Sequence, residues 1–236
     1  MPSYRFLPDK MRILSGSALK LIAVITMLID HIASHLVPKT WVLFSVFGID
    51  VTLYRAMRNI GRWAFPIFCI LMIEGFLHTR NRVRYGGSLL LFALLSEIPW
   101  NLVHSGTWLY AGQNIFFTLF LGYLGICAME YLPHFLLKMG ALAALAAASV
   151  VLRVDYSVAG YAFIVLLYAL RENELARPLT AFLLTNHWWT LSAFIPISLY
   201  NGKRGFVKNP VLKYAFYVFY PLHLFVIYLI KFRVLA

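Results

Sequence analysis

The chain has 236 residues, 61% of them hydrophobic and 13% charged, and a mean hydropathy of +0.76. Such apolar content excludes a soluble domain and the length excludes two membrane domains, so residues 1–236 are expected to form one all-α, polytopic transmembrane bundle of about 8–10 helical segments. The formal net charge of +12 does not point to nucleic acid, because Lys and Arg cluster in short connections between apolar runs, as in cytoplasmic loops of membrane proteins.

Met1 to Ser17 has no continuous apolar core with a cleavage site, and Pro2 and Pro8 interrupt it, so no signal peptide is expected. Arg5, Lys10, Arg12 and Lys20 precede or open the first span, Leu19 to Val37, and place the N-terminus in the cytoplasm. That span carries Asp30 and His31 side by side. A carboxylate near the middle of such a helix costs roughly 2.5–3.5 kcal/mol on insertion scales, so the pair must face protein or a wet cavity. The plain alternative to a functional site is hydrogen bonding to a neighbouring helix.

Residues 38 to 59 mix aromatics with Asp50, Arg55 and Arg58 and read as an amphipathic interfacial or re-entrant piece. The second span runs from about Arg62 to His78, and Arg80, Arg82 and Arg84 put the next loop in the cytoplasm. The third, Tyr85 to about Val103, ends near Glu97 and Pro99, and the loop to Asn114 lacks Lys and Arg, as an outer loop should. Ile115 to Tyr131 and about Leu137 to Leu152 follow, the latter around an alanine-rich stretch whose small side chains allow close helix approach. Arg153 and Asp155 then lie outside, Ser157 to Leu170 crosses back, and RENELAR (171 to 177) is cytoplasmic.

Pro178 to Tyr200 is long enough for one span, yet one crossing would leave Lys203, Arg204, Lys208 and Lys213 outside. Breaking it at Asn186 and His187 into a re-entrant pair restores the charge rule, and the last helix, about Val211 to Arg233, then starts in the cytoplasm. No repeats mark the chain. Cys69 and Cys127 lie in apolar runs without CxxC or Cys/His spacing and are expected to be core thiols.

Lys20, Val24, Met27 and His31 share one helical stripe, with His31 about 16 Å beyond Lys20. His223 lies about 15 Å beyond Lys213 on the last helix, so two imidazoles reach similar depth; a single interhelical hydrogen bond is the plain alternative for His223. Arg55, Arg58 and Arg62 share a face that could hold an anionic group or pin Asp30, Asp50 or Glu97. Glu74, Glu97, Gln113, Asn114, Asp155, Asn186 and His187 complete the polar inventory. A neutral histidine can take a proton from an attacking amine or hydroxyl, whereas no GxSxG, Walker, HExxH or GxGxxG motif is present to suggest covalent serine or metal chemistry. Asp30 and His31 point about 100° apart, so Asp30 can serve an arginine instead of the imidazole.

LKLIAVITMLIDHI (19–32), RNIGRWAFPIFC (58–69), EGFLHTRN (74–81), SEIPWNL (96–102), QNIFFTL (113–119), YNGKRG (200–205) and FYVFYPLHL (216–224) together resemble the TraX family over nearly the whole chain. That family is named for a conjugation-plasmid protein that N-acetylates pilin, and it looks related to multi-pass acyltransferases that use cytoplasmic acyl-CoA. The resemblance implies His31 with Asp30 as catalytic centre, Arg58 and Arg62 as acyl-CoA or oxyanion contacts, and His223 as a second polar group. Lys203 and Arg204, with Lys20 at the mouth, become contacts for acetyl-CoA, while Glu97, Asn114 and Tyr220 join on the acceptor side, Asn114 as an alternative to Arg62 for the oxyanion. The expected protein is an acetyltransferase of the bacterial cytoplasmic (inner) membrane, with membrane lipids, acetyl-CoA and an acceptor (peptide N-terminus, glycan or lipid) as partners and no nucleic acid. The competing readings are a proton-coupled transporter or lipid-binding protein using the same buried charges, and a structural partner of a secretion or conjugation apparatus.

Overall fold

The computed structural model describes residues 7–185 and 187–235; Arg5 and Asn186, to which the charge and helix-break expectations extended, lie outside the described residues. Helix α1 (Gly16–Leu36) starts at Ser15, whose side chain accepts from the Ala18 amide at 3.2 Å, and ends where Pro38 holds Val37 extended. Its first amides donate to the 203–204 carbonyls (Gly16 N to Lys203 O 2.8 Å, Ser17 N to Arg204 O 3.0 Å), which ties the NGKRG loop to the helix start.

The amphipathic interfacial or re-entrant piece expected across 38–59 is a strand pair in its first half. Val42–Val46 (β1) and Ile49–Thr52 (β2) pair as an antiparallel hairpin, turned by Phe47 and Gly48, both at positive φ (50° and 78°). The β-branched Val42, Val46, Ile49, Val51 and Thr52 favour strand, and Gly48 supplies a two-residue turn of the twist hairpins require. Thr52 then caps α2 (Leu53–Gly61) by accepting from Arg55 N at 3.2 Å.

After a short break at Arg62 and Trp63 comes α3 (Ala64–His78), and Leu53–His78 together form one run of membrane length, so the second crossing begins nine residues earlier than Arg62 suggests. Helix α4 (Arg82–Ser105) is capped by Asn81 and closed by Gly106 at φ 72°; α5 (Ile115–Tyr131) is capped by Asn114; α6 (Phe135–Val151) and α7 (Ser157–Ala169) follow. Gly-mediated packing joins α5 to α7: a Cβ at Gly122 would overlap Ile164 and one at Gly125 would crowd Val165 and Tyr161. The alanine-rich stretch of α6, by contrast, is only partly covered.

Residues 176–198 form short helices, α8 (Ala176–Thr185), α9 (Trp188–Ser192) and α10 (Phe194–Ser198), interrupted at the predicted place. Both ends of this unit lie at the end of the bundle where α1 begins. Arg12 bonds Glu174 at 2.7 Å just before α8, and after α10 Leu14 N donates to Leu199 O and Asn201 N to Leu14 O, each at 2.9 Å. The segment is therefore re-entrant.

Helix α11 (Pro210–Leu229), continued by a π-helical turn to Val234, packs on α4 and α1. Among the described helices, four runs are long and apolar enough to cross a membrane: Gly16–Leu36, Leu53–His78, Arg82–Ser105 and Val211–Val234. A large core, including the fully buried Leu19, Ala23, Ile67, Phe76, Phe163, Ile164 and Leu167, holds them together, and a smaller cluster of Leu121, Val154 and Tyr161 lies beside it. The bundle thus has a basic end, with Lys20, Arg80, Arg84, Lys203 and Arg204, and a far end with the hairpin and the 106–114 and 152–156 loops.

Candidate functional site

A cavity of about 150 Å³ runs inside the bundle, walled by α1, α3, α4, α5 and α11. Lys20, Tyr85, Leu71, Phe216 and Tyr217 line the part toward the basic end, and Asp30, His31, Asp155, Tyr156 and Tyr220 the deep part. Helical rise puts His31 about 16 Å beyond Lys20 along α1, so one stripe of that helix forms a wall from mouth to floor.

At the floor, His31 Nδ1 lies 2.6 Å from His223 Nε2, and His223 Nδ1 lies 2.8 Å from the Phe219 carbonyl oxygen one turn back on α11. A carbonyl only accepts, so His223 Nδ1 carries the proton and its Nε2 carries a lone pair. His31 Nδ1 must then donate to that lone pair, which leaves His31 Nε2 as an unprotonated base. The ring planes lie within 18° of parallel, and Tyr220 stands 6.0 Å from the His31 ring, centroid to centroid. The Tyr220 hydroxyl is buried without a hydrogen-bond partner, an open donor on the cavity wall.

Asp30 does not orient His31. Its Oδ2 pairs with Arg58 Nη1 at 2.5 Å, while Oδ1 is buried and unpartnered. Gly61 makes the approach of α1 and α2 possible, because a Cβ there would overlap the Asp30 side chain. Of the two uses open to Asp30, service to an arginine is the one seen: adjacent helical positions diverge, and Arg58 on the neighbouring helix takes the carboxylate. Arg58 is thereby held on Asp30 beside the cavity floor. Arg62 lies close enough to act on Asp30, Asp155 and Tyr156, and its Nε is buried without a partner.

Asn114 and Glu97 have a different use from the one expected. Both Asn114 amide hydrogens are spent, on Ala93 O at 2.8 Å and Glu97 Oε2 at 2.7 Å, and its Oδ1 accepts from Phe116 N at 3.1 Å. No donor remains for an oxyanion. Glu97 and Asn114 fasten α4 to the start of α5 and do not line the cavity.

At the mouth, Arg204 and Lys213 are each near enough to act on Lys20, whose Nζ stands 5.4 Å above the Phe216 ring. Lys203 sits in the same loop, held through its carbonyl to Gly16. Lys213 comes close to Lys20 because α11 packs on α1.

Asp155 and Tyr156 are site residues that the sequence order hides. Their loop folds back inward, with Gln113 N donating to Arg153 O and Asp155 N to Gln113 O at 3.0 Å each, and Thr118 Oγ1 donating to Asp155 O. Burial pushes the Asp155 carboxyl up to about 6, opposed by the Tyr156 amide and by Arg58 and Arg62. Burial also raises the Tyr156 phenol, with Asp155 adding to the shift. His35 is a further omission: in HIASH (31–35) it stands one turn beyond His31, a spacing visible in the sequence.

Comparison with known proteins gives three findings. The chain is 27% identical over 241 residues to "Probable fimbrial assembly protein FimC, serogroup H1" of Dichelobacter nodosus, covering 89% of this chain and 93% of that protein. No solved structure matches. The profile of the family described as "TraX protein" matches residues 15–231, from the cap of α1 to the end of α11, and with it the blocks around Asp30–His31, Arg58–Arg62 and His223. This membrane protein belongs to the TraX family.

Proposed function

We propose that the protein is a membrane-embedded acetyltransferase that takes the acetyl group of acetyl-CoA from the cytoplasmic side and passes it to an amine or hydroxyl of an envelope or extracytoplasmic acceptor. The observation that carries this reading is the continuity between the free Nε2-bearing histidine at the cavity floor and the lysine at its basic mouth. A narrow, mostly apolar channel about 16 Å long suits an extended acyl-pantetheine arm, and a cationic rim suits the nucleotide phosphates. On this reading the basic end faces the cytoplasm of a bacterial inner membrane, in keeping with the positive-inside rule.

The chemistry follows from the donors and acceptors present. His31 Nε2 takes the proton of the acceptor as its lone pair attacks the thioester carbonyl carbon, and the new carbon–heteroatom bond forms. The imidazolium keeps its Nδ1–H on His223, which stabilises the charge. The Tyr220 hydroxyl, on the cavity wall, is the open donor for the oxyanion, and Arg62, which acts on Asp155 and Tyr156 beside the cavity, adds positive charge behind it. Collapse breaks the carbon–sulfur bond, and the thiolate departs toward Lys20, Arg204 and Lys213. The printed name of the Dichelobacter nodosus relative suggests fimbrial assembly as the setting, with a fimbrial or other surface component as acceptor.

The test is direct: purified protein given labelled acetyl-CoA should bind it and release free thiol slowly, with water as acceptor. His31→Ala should abolish release and keep binding. Absence of acetyl-CoA binding, combined with movement of a substrate gradient across proteoliposomes, would replace this reading with a transporter.

A further inference from the structure

Once the acetyl donor is bound, its pantetheine arm fills the channel between Lys20 and His31, so water has no room to carry a proton away on that side. Beyond His31 the bundle holds two more histidines that the transfer step does not use. His35 lies one turn further along α1, with its ring centroid 6.4 Å from that of His31, a gap that one water can bridge. His104, in the last turn of α4, meets His35 edge to face at 4.8 Å. Its Nδ1 faces the Trp100 carbonyl oxygen at 2.9 Å and so carries the hydrogen, which leaves Nε2 open. Beyond it Tyr110 stacks on His104 at 4.9 Å and is 42% exposed at the far end. His223 offers no such exit, because its Nε2 is taken by His31, its Nδ1 by a backbone carbonyl, and the ring is buried.

Resting on the acetyltransferase reading, we propose that His35 and His104 form a proton relay that discharges His31 to the far side of the membrane. The balance is as follows. The acceptor X–H loses its proton to His31 and forms X–acetyl; the carbon–sulfur bond breaks and coenzyme A leaves as thiolate toward the basic end, where it takes a proton from water. The proton on His31 passes to His35, then His104, then water at the far end. Each turnover thus removes one proton from the basic side and releases one on the other. The groups facing His35 are His31, His104, His223, Arg58 and Lys231, and Lys231 also faces His104 while its Nζ is held by the Val103 carbonyl at 3.2 Å.

The experiment uses the full chain in sealed vesicles. Acetyl-CoA added outside does not cross lipid and so addresses only molecules whose basic end faces out; their far end then faces the lumen, whose pH is set on reconstitution and followed with a trapped dye. At fixed external pH, thiol release by the wild type should rise several-fold as luminal pH goes from 5.5 to 7.5, and the lumen should acidify during turnover. His35→Leu and His104→Leu should each lose that luminal dependence and slow about tenfold or more, with acetyl-CoA affinity unchanged. His78→Gln, at the basic end, should keep it. A wild type indifferent to luminal pH, or variants that retain the dependence, would show that the proton leaves on the sulfur, and would overturn the relay while leaving the transferase reading intact. No acetyl-CoA binding or thiol release by any form would remove both.

Discussion

Replacing His223 with Phe removes the acceptor that fixes the His31 tautomer while roughly preserving ring volume. In the wild type the 2.6 Å contact to His223 Nε2 keeps the proton on His31 Nδ1 and the lone pair on Nε2. With Phe, His31 is free to adopt either tautomer, and its imidazolium loses a hydrogen bond to a charged donor, a contact of about 1.5–3 kcal/mol. That difference is felt only when the charge forms, so it belongs to the transition state and corresponds to a fall of about 10- to 150-fold in kcat with KM for acetyl-CoA unchanged. His223→Gln, whose amide oxygen can accept in place of the imidazole, should recover part of the loss. The assay is thiol release from acetyl-CoA, with donor binding measured separately. An unaffected kcat in His223→Phe, or a fall fully explained by lost donor binding, would refute the assignment of His31 as a base oriented by His223.

Further outcomes follow from the same geometry. Gly61→Ala should drive α1 and α2 apart at Asp30 and destabilise the protein by about 1–3 kcal/mol, seen as a lower melting temperature in detergent. Lys20→Ala and Arg204→Ala should each weaken acetyl-CoA binding about tenfold and leave acetyl-pantetheine, which lacks the nucleotide phosphates, unaffected in a competition assay. Asp155 has its folded pKa raised, to about 6 from an unfolded value near 4, so the folded state holds the extra proton and stability falls as pH rises through that window. Asp155→Asn should therefore be more stable than the wild type at pH 8, with the advantage gone by about pH 4, as read from unfolding midpoints across pH.

Much of the architecture is legible because lipid leaves the chain few options. Apolar runs of fixed length and the distribution of Lys and Arg give the crossings and even the re-entrant 176–198 unit, since only a break there returns Lys203 and Arg204 to the basic end. The stripe from Lys20 to His31 is helical arithmetic, and it became a cavity wall. The hairpin at 42–52 is less legible: the side chains of β1 are exposed on both faces, so no alternation marks that strand, and Phe47–Gly48 is a weak turn signal beside Asn-Gly. Helical arithmetic offers candidate partners for the polar groups but does not choose among them. Asp30 adjoins His31 in the chain yet binds Arg58 on α2, while His31 bonds a histidine 192 residues away, and Asp155 reaches the site from a loop that charge alone places outside it.

The central claim is that the cavity between Lys20 and His31 receives the acetyl donor with its thioester at the free nitrogen of His31. A structure of the protein with bound coenzyme A tests it most directly. The account predicts the sulfur at the cavity floor beside His31 Nε2 and Tyr220, with the nucleotide phosphates at Lys20, Arg204 and Lys213. Coenzyme A seated elsewhere, or with its sulfur turned away from His31, would contradict it.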